Sequence, residues 1–318
     1  MKINTLVLLT AFLFFTCQSS KQIDINLDYS PEKAELFANG IVSTHLYERD
    51  IAISPEGDEI IYTLSDSKHL KRCLVGIKKV GDRWHSRQIL NFSGKYSDIE
   101  PFISPDGRNL YFASTRPMNA DTSRTDFNIW VSQKKETGWS EPIPLPLEIN
   151  TVDDEFFPSV SKNNNLYFTA SRKNGIGKED IFLSRFVDGK YLAPESLDTN
   201  VNSLNYEFNA WISPEEDLIV FSSYGRKDDL GGGDLYYSRK DKSGNWISAK
   251  NLGSTINSAH LDYCPFIDLP RKNFYFTSDR VVLTKKRLEN IHEIETFSDE
   301  ILNGYGNIYV IGLSGIFN

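Results

Sequence analysis

The chain has 318 residues, of which 40% are hydrophobic and 25% are charged, and its formal net charge is −8 at pH 7. A chain of this length and composition can bury a large core in one or two domains, which excludes a disordered protein. No basic domain or stripe is present to meet phosphate groups, and the negative charge therefore argues against a nucleic-acid partner.

The N-terminal segment has the pattern of an export signal. An apolar run from Leu6 to Phe15 is too short to span a bilayer and is typical of the hydrophobic region of a signal peptide. The run ends at Thr16 and Cys17, which resembles a bacterial lipobox, although the residue before the cysteine is usually smaller than Thr. The alternative is an ordinary secretory signal with an incidental Cys.

The lipobox resemblance implies cleavage before Cys17 and lipidation of its thiol. We therefore expect residues 1–17 to be a lipoprotein signal peptide and residues 18–34 to be a polar tether. A lipid on Cys17 anchors the protein to the bacterial cell envelope, and the resemblance points to the outer membrane, with the periplasmic and the surface face both open.

Five similar segments follow the tether, and each predicts a β-hairpin. Ser-Pro-Asp-Gly favours a type I turn, because Pro presets φ, Asp bonds locally and Gly closes the turn. The turn residues vary in the third and fifth segments, whereas the flanking strand pattern persists. The segments are AISPEGDEIIYTLSDSK from Ala52, ISPDGRNLYFASTRP from Ile103, SVSKNNNLYFTASRK from Ser159, WISPEEDLIVFSSYGRK from Trp211 and FIDLPRKNFYFTSDR from Phe266.

Two further strands are predicted in each unit. A third strand opens at Asn128, Asp180, Asp234 and Asn307, and Arg72 begins the corresponding segment of the first unit. A fourth strand follows a turn that carries an aromatic residue. The turn residues Ser54, Ser104, Ser161, Ser213 and Asp268 are 50, 57, 52 and 55 positions apart. Four strands per unit and this period are typical of propeller blades.

The ends of the chain predict how the propeller closes. The last unit ends at Asn318 without a fourth strand, whereas the segment from Glu35 matches the fourth-strand pattern and precedes the first unit. We therefore expect residues 35–318 to form a single all-β propeller of four-stranded blades that is closed by the N-terminal strand. Five blades are predicted, with six as the alternative.

The repeats resemble a known family. The Ser-Pro-Asp-Gly turns, the Tyr-Phe strand, the terminal Ser-Xaa-Arg and GlyGlyGlyAspLeuTyr at 231–236 are similar to the WD40-like (PD40) repeats of TolB-type propeller proteins. The resemblance covers nearly the whole chain from Glu35. It implies an envelope protein that acts as a scaffold or binding module, although a fold alone does not fix a function.

An acid recurs six positions before each turn residue and a base recurs 11 to 14 positions after it. Both are expected at one end of the propeller, which we call the acid rim. Two interpretations are open. The acids form a carboxylate ring that binds a cation or a basic ligand, or each acid pairs with a base and the pairs hold loops together. The equal numbers of acids and bases favour the pairs. The acids are Glu48, Asp98, Glu155, Glu207 and Asp262, and the bases are Lys68, Arg116, Arg172, Arg226 and Arg280.

Signals for catalysis are weak. Some five-bladed propellers are glycosidases, which need carboxylates in distinct environments, whereas these acids are equivalent by repeat. The five His residues are scattered, so the sequence identifies no metal site, and it identifies no cofactor. Cys73 takes the place of a core Ile or Leu on a third strand, and we expect it to remain unpaired with Cys264.

One loop breaks the repeat. From the rim base to the third strand the chain takes 12, 8 and 8 positions in blades two to four, but 27 from Arg280 to Asn307. Leu288, Ile291, Ile294 and Ile301 predict a short amphipathic helix in this insertion, on the acid rim. The leading hypothesis is a lipid-anchored module that binds an envelope protein or glycan there. The alternative is a carbohydrate-active hydrolase or lyase that uses rim carboxylates.

Overall fold

The repeated hairpins form the inner strands of five antiparallel sheets. The computed structural model describes residues 23–118, 122–283 and 287–317. Within these residues five sheets of four or five strands are the blades of a β-propeller, and a separate two-stranded hairpin accompanies blade three. The prediction of an all-β propeller with five blades is confirmed, and six blades are excluded.

The strands follow one another in chain order. The N-terminal strand is β1 (Glu35–Leu36). Blade one contains β2 (Tyr47–Ile53), β3 (Glu59–Ser65), β4 (Arg72–Val80), β5 (Arg83–Trp84) and β6 (Gln88–Ile89). Blade two contains β7 (Asp98–Ile103), β8 (Asn109–Ser114), β9 (Asn128–Lys135), β10 (Gly138–Trp139) and β11 (Ile143–Pro144). Blade three contains β12 (Glu155–Val160), β13 (Leu166–Ala170) and β14 (Asp180–Ser184), then a separate hairpin of β15 (Phe186–Val187) and β16 (Lys190–Tyr191), and finally its outer strand β17 (Glu195–Ser196).

The last two blades complete the ring. Blade four contains β18 (Tyr206–Ile212), β19 (Leu218–Tyr224), β20 (Asp234–Arg239) and β21 (Lys250–Asn251). Blade five contains β22 (Asp262–Asp268), β23 (Asn273–Ser278) and β24 (Asn307–Gly312), and the helix α1 (Ile291–Asp299) lies in the connection from β23 to β24.

The ring closes as the sequence predicts. Strand β1 pairs antiparallel with β24, with Glu35 opposite Val310, and so supplies the outer strand of blade five. The backbone N–H of Phe37 donates to the carbonyl of Ile308 and extends this pairing. Segments from the two ends of the chain therefore share one sheet.

Short polar side chains explain two of the repeated sequence features. The hydroxyl of Ser213 accepts from the N–H groups of Asp217 and Leu218, which holds the hairpin turn closed. The amide of Asn202 pairs with both the N–H and the carbonyl of Ile181, and so ties the end of the blade to its third strand. Asn150 and Asn257 make the same pair of bonds to Ile129 and Leu235.

Part of the predicted tether packs on the propeller. Ile25 and Leu27 are buried, and the indole N–H of Trp84 donates to the carbonyl of Ile25 at 2.7 Å. The side-chain amide of Asn273 donates to the carbonyl of Leu27 at 2.8 Å. Residues 23–34 are therefore fixed against blades one and five, and only the part of the tether before Ile23 lies outside the described residues.

The two cysteines outside the signal region are unpaired. Cys73 is half-buried and Cys264 is buried, and both are free thiols, which confirms the prediction of no disulfide between them. In the described part of the chain, no helix has the length and hydropathy that crossing a bilayer requires. Cys17 and the signal sequence lie outside the described residues.

Candidate functional site

The five acids predicted at the rim are buried inside the blades. Each lies at the start of an innermost strand, and the side chains of Glu48, Asp98, Glu155, Glu207 and Asp262 are all 0% exposed. Each accepts a hydrogen bond from a hydroxyl side chain in the loop that precedes its strand; for example, Ser203 donates to Glu207 at 2.8 Å. The corresponding donors are Thr44, Ser93, Thr151 and Ser258.

In blades two to five, an Arg pairs with the acid. The guanidinium-to-carboxylate distances are 2.6 Å for Arg116–Asp98, 2.8 Å for Arg172–Glu155, 2.9 Å for Arg226–Glu207 and 3.1 Å for Arg280–Asp262. Each guanidinium also lies over an aromatic ring of the second strand; Arg172, for example, is 5.0 Å from the ring centre of Phe168. The terminal Ser-Xaa-Arg of the repeat is therefore a structural clasp within the blade.

Blade one departs from this pattern. Lys68 is the base that the repeat predicts, but Lys68 is exposed, and among the described residues no Lys or Arg lies within ion-pair distance of Glu48. Burial raises the pKa of Glu48 to about 7, against the smaller lowering effects of its bonds to Thr44 and of the Arg87 charge. Blade one therefore lacks the Arg clasp of the other blades, and the exposed Arg87 donates to the carbonyl of Ile41.

These placements correct the picture of an open carboxylate ring. An acid with no exposed surface, held by a hydroxyl and a guanidinium, presents no oxygen to the channel. In blades two to five each acid pairs with a base, as the equal numbers of acids and bases in the sequence favoured. The channel is lined by other residues.

The channel residues sit at a β-bulge that every innermost strand contains. The strand register shifts two residues after each acid, and the residue there has a positive φ, which non-glycine residues rarely adopt. These residues are Asp50, Glu100, Phe157, Asn209 and Cys264, with φ between 45° and 60°.

The bulges join neighbouring blades. The freed N–H of Glu100 donates to the hydroxyl of Thr63 on the preceding blade at 3.0 Å, and Asn209 donates to Thr169 at the same distance. Asp50 and Cys264 donate to Thr277 and Ser222. The strain of the bulge is therefore offset by a hydrogen bond across the blade boundary.

One boundary uses a different acceptor. In blade two, Ala113 stands where the second strand of each other blade has the Thr or Ser that accepts this bond. The N–H of Phe157 instead donates to the carboxylate of Glu100 at 2.7 Å. Glu100 thus serves as the acceptor that Ala113 lacks. The same carboxylate accepts from the side-chain amide of Asn209 at 3.2 Å.

An arginine neutralises the carboxylates of the channel. Arg49 donates to Asp50 at 2.8 Å and to Glu100 at 2.7 Å, and its guanidinium lies 5.1 Å from the ring centre of Tyr263. Burial raises the pKa of Glu100 to about 7, and the Arg49 charge opposes that rise. Arg49, Asp50, Glu100 and Asn209 form a connected polar group, which we call the Arg49 plug.

Aromatic side chains surround the plug at the acid rim. Tyr47 and Tyr263 share a hydrogen bond of 2.9 Å between their hydroxyls, and Tyr47 also donates to Asp279 at 3.1 Å. Burial raises the pKa of Asp279 to about 6. Phe156 and Phe208 complete the apolar cluster on the inner strands. We call Tyr47, Arg49, Phe156, Phe208 and Tyr263 the channel mouth.

The insertion of blade five stands beside the channel mouth. A helix in the insertion is confirmed as α1, although Leu288 and Ile301 of the predicted pattern lie outside it. Asn290 caps its N-terminus by accepting from the N–H of Glu293. The base of the insertion is fixed, because Tyr305 stacks on Tyr47 with ring centres 6.2 Å apart and Asn303 donates to the carbonyl of His45.

The helix itself is little buried. All nine residues of α1 keep exposed surface. Ile294 and Phe297 of the helix line a depression of about 460 Å³ together with Val282, Leu283 and Leu288. In the described ranges, no group of three or more His, Cys, Asp or Glu residues is placed to hold a metal ion.

Comparison with known proteins supports the fold. No protein-family model matches the chain, and no curated protein matches it. A solved structure of a BT0996 RGII complex has a TM-score of 0.53 and 9% identity, over 89% of this protein and 91% of that one. The chain is a five-bladed β-propeller.

Two further solved structures have lower TM-scores. A putative TolB from Agrobacterium tumefaciens has a TM-score of 0.47 and 18% identity, over 73% of this protein and 69% of that one. The α-L-arabinofuranosidase PaAbf62A from Podospora anserina, in complex with cellotriose, has a TM-score of 0.49 and 11% identity, over 91% and 98%. At these identities the similarity concerns the fold alone.

Sequence reasoning missed the channel residues. Counting two positions forward from each rim acid finds all five bulge residues, but they are an Asp, a Glu, a Phe, an Asn and a Cys. Because the position is not occupied by one residue type, the repeat alignment does not single it out. The ion pair of Arg49 with Glu100 joins two blades and has no counterpart in the repeat.

Proposed function

We propose that this propeller is a non-catalytic binding or scaffold module of the bacterial cell envelope, anchored by a lipid on Cys17, that binds a protein partner at the acid rim. The observation that carries the proposal is the apolar surface of the insertion. Leu288, Ile291 and Ile294 are 52%, 75% and 49% exposed. The base of the same insertion contacts the channel mouth, where Tyr305 stacks on Tyr47. Contiguous exposed apolar side chains of this kind mark interaction sites in soluble domains.

The Arg49 plug argues against the hydrolase alternative. A glycosidase needs two carboxyl groups that face the substrate, one to donate a proton and one to act as base or nucleophile. Asp50 and Glu100 are 2% and 4% exposed, and one guanidinium binds both. Neither carboxylate has an open side toward a ligand in this arrangement.

A glycan is the second candidate ligand. The channel mouth offers the rings of Tyr47, Phe156 and Phe208, all half-buried, around the partly exposed guanidinium of Arg49. Flat apolar faces with a few polar groups are typical of small-ligand sites. The mouth and the insertion are adjacent, so one partner could contact both.

The envelope location and the family are part of the same proposal. The apolar run that ends at Cys17 supports export and lipidation, and the repeats support membership of the PD40 group of TolB-type propellers. A lipid-modified cysteine attaches a folded domain to a membrane without a spanning segment.

The test is site-specific photo-crosslinking in the native host. Ile291 is replaced by p-benzoylphenylalanine, and Val187, an exposed residue on the hairpin of blade three, is the matched control. A discrete protein adduct at position 291 and none at 187 supports the proposal. Equal adducts at both positions, or none at 291, contradict it.

A second assay separates binding from catalysis. The purified protein is incubated with a panel of envelope polysaccharides, and release of reducing ends is followed for the wild type and for Glu100→Gln. The proposal predicts no turnover by either protein. Turnover that disappears in Glu100→Gln establishes the hydrolase instead.

A further inference from the structure

The face of the propeller opposite the acid rim is formed by the five hairpin turns, and we call it the turn face. The N-terminal segment runs along its edge. Ile23 pairs with Trp84, which lies just beyond the turn-face end of β4, and Leu27 is held by Asn273, the first residue after the fifth turn. The chain therefore enters the fold at the turn face.

Chain length limits where a lipid on Cys17 can lie. Six peptide steps separate Cys17 from Ile23. An extended chain spans at most about 3.6 Å per residue, so the two residues lie within about 20 Å of each other. An inner strand of seven residues, such as β2, separates the turn face from the acid rim by about 20 Å more. Of the two ends of the propeller, the turn face is thus the one nearer to the anchor.

The turn face also has an apolar centre. At its middle the channel opens into a depression of about 300 Å³ whose lining includes Phe102, Trp211, Pro214, Phe266 and Leu269. The lining also includes the Asp268–Arg271 ion pair, so the turn-face end of the channel is mainly apolar and carries one charged pair at its border. The channel mouth at the acid rim, by contrast, lies next to the charged Arg49 plug.

Exposed apolar side chains gather where the N-terminal segment enters. The fifth turn reads Asp-Leu-Pro-Arg, so it places Leu269 and Pro270 where the first and second turns place a Pro and an acid. Leu269 on blade five and Val80 on blade one are 43% and 64% exposed. Tyr29, in the N-terminal segment, is 52% exposed, and its hydroxyl donates to Glu35. Apolar and amphipathic side chains of this kind partition into the interfacial region of a bilayer.

We propose that the turn face lies against the bilayer that holds the lipid of Cys17, with Tyr29, Val80 and Leu269 in the lipid interface. The occupant of this face is a lipid surface, and the argument depends on the lipid anchor of the proposed function. The channel mouth and α1 then face away from the membrane, where a partner can reach them.

The experiment measures the depth of single nitroxide labels on full-length, lipidated protein bound to phosphatidylcholine vesicles. Cys73→Ser removes the half-buried thiol, and labels are placed by Leu269→Cys on the turn face or Leu204→Cys on the acid rim. Both positions are exposed Leu residues. Tyr29→Cys provides a second turn-face label in case one variant folds poorly.

The expected result is a several-fold rise in the ratio of oxygen to nickel-chelate accessibility at positions 269 and 29 on vesicles, and no change at 204. Lipidated protein that sediments with vesicles but shows equal or reversed accessibilities overturns the orientation and leaves the anchor intact. Protein whose mass shows no lipid on Cys17, and which does not sediment, overturns the anchor and the orientation with it.

Discussion

Arg49 of blade one binds Glu100 of blade two at 2.7 Å across the channel of the propeller. The same guanidinium binds Asp50, so a single positive charge serves two buried carboxylates. Glu100 in turn accepts from the backbone of Phe157 on blade three. These contacts link three blades inside the channel.

Replacing Arg49 by Met tests the plug. The loss of the guanidinium leaves two buried carboxylates without a cation, which costs about 3–5 kcal/mol of unfolding free energy at pH 8. The folded-state pKa of Glu100 is already raised to about 7, so protonation relieves part of this cost at pH 5. Urea denaturation at the two pH values measures the difference. Arg83→Met, at an exposed Arg, is the control, and an equal small loss in both variants contradicts the role of the plug.

Replacing equivalent acids in blades one and four by Gln should change the free energy of unfolding at pH 8 in opposite directions. Glu48 keeps its proton in the folded state up to pH about 7, whereas the unfolded chain releases it near 4.5. The folded state therefore loses stability as the pH rises through this window, by on the order of 3 kcal/mol. Glu48→Gln removes the loss, so we expect a more stable protein than wild type at pH 8 and little difference at pH 5.

The control is the same substitution in blade four. Glu207→Gln leaves Arg226 without its carboxylate, so we expect a destabilisation of about 3–5 kcal/mol at pH 8. Both variants are compared with wild type by urea denaturation. A destabilised Glu48→Gln at pH 8 shows that Glu48 is ionised and has a cationic partner.

The hydroxyl at each blade boundary should contribute measurably to stability. Thr169→Val keeps the shape of the side chain but leaves the N–H of Asn209 without its acceptor, which costs about 1–3 kcal/mol. Denaturant titration measures the loss. In a Glu100→Ala background, Ala113→Ser should recover part of the stability, because it returns an acceptor to the N–H of Phe157. A neutral Thr169→Val contradicts this account of the bulges.

Local signals in the sequence are sufficient for the architecture. The hairpin turns, the spacing of Ser54 to Asp268 and the orphan strand at Glu35 predicted the blades, their number and their closure, because each depends on short-range chemistry that repeats. The helix of the insertion was also predicted from its apolar spacing.

The site depends on contacts that do not repeat. Arg49 with Glu100, and Glu100 with Phe157, join residues 51 and 57 positions apart, and no pattern in either segment pairs them. The packing of Ile25 and Leu27 was missed for a similar reason, because a short polar segment does not reveal which groove of the propeller it enters. Burial of the rim acids was likewise invisible, since exposed and buried ion pairs have the same spacing in the sequence.

Anchoring is tested by Cys17→Ser. The proposed lipid contributes about 0.8 kcal/mol per buried methylene to membrane partitioning, so its removal should release the protein into the soluble fraction. The propeller should keep its melting temperature, because residues 23–317 contain the packed core as described. Fractionation with a melting curve checks both points. Unchanged sedimentation of the variant with membranes contradicts lipidation.

The clasps of the rim should affect stability and not binding. Arg172→Ala removes the partner of the fully buried Glu155, and we expect a loss of about 3–5 kcal/mol in unfolding free energy. Partner binding per folded molecule should be unchanged, because neither residue reaches the surface of the insertion. Binding that falls while stability is kept contradicts the assignment of this pair as a clasp.

The central claim is that the exposed face of α1 binds a partner, and the affinity of the crosslinked partner for the double variant Ile291→Ser/Ile294→Ser tests it most directly. Both side chains are exposed, so the melting temperature should not change. The matched control is Val187→Ser/Leu192→Ser, two exposed apolar residues on the hairpin of blade three. We predict at least a tenfold weaker affinity, equivalent to about 1.4 kcal/mol, for the α1 variant alone. Equal affinities of the two variants, or a loss that tracks a lowered melting temperature, contradict the claim.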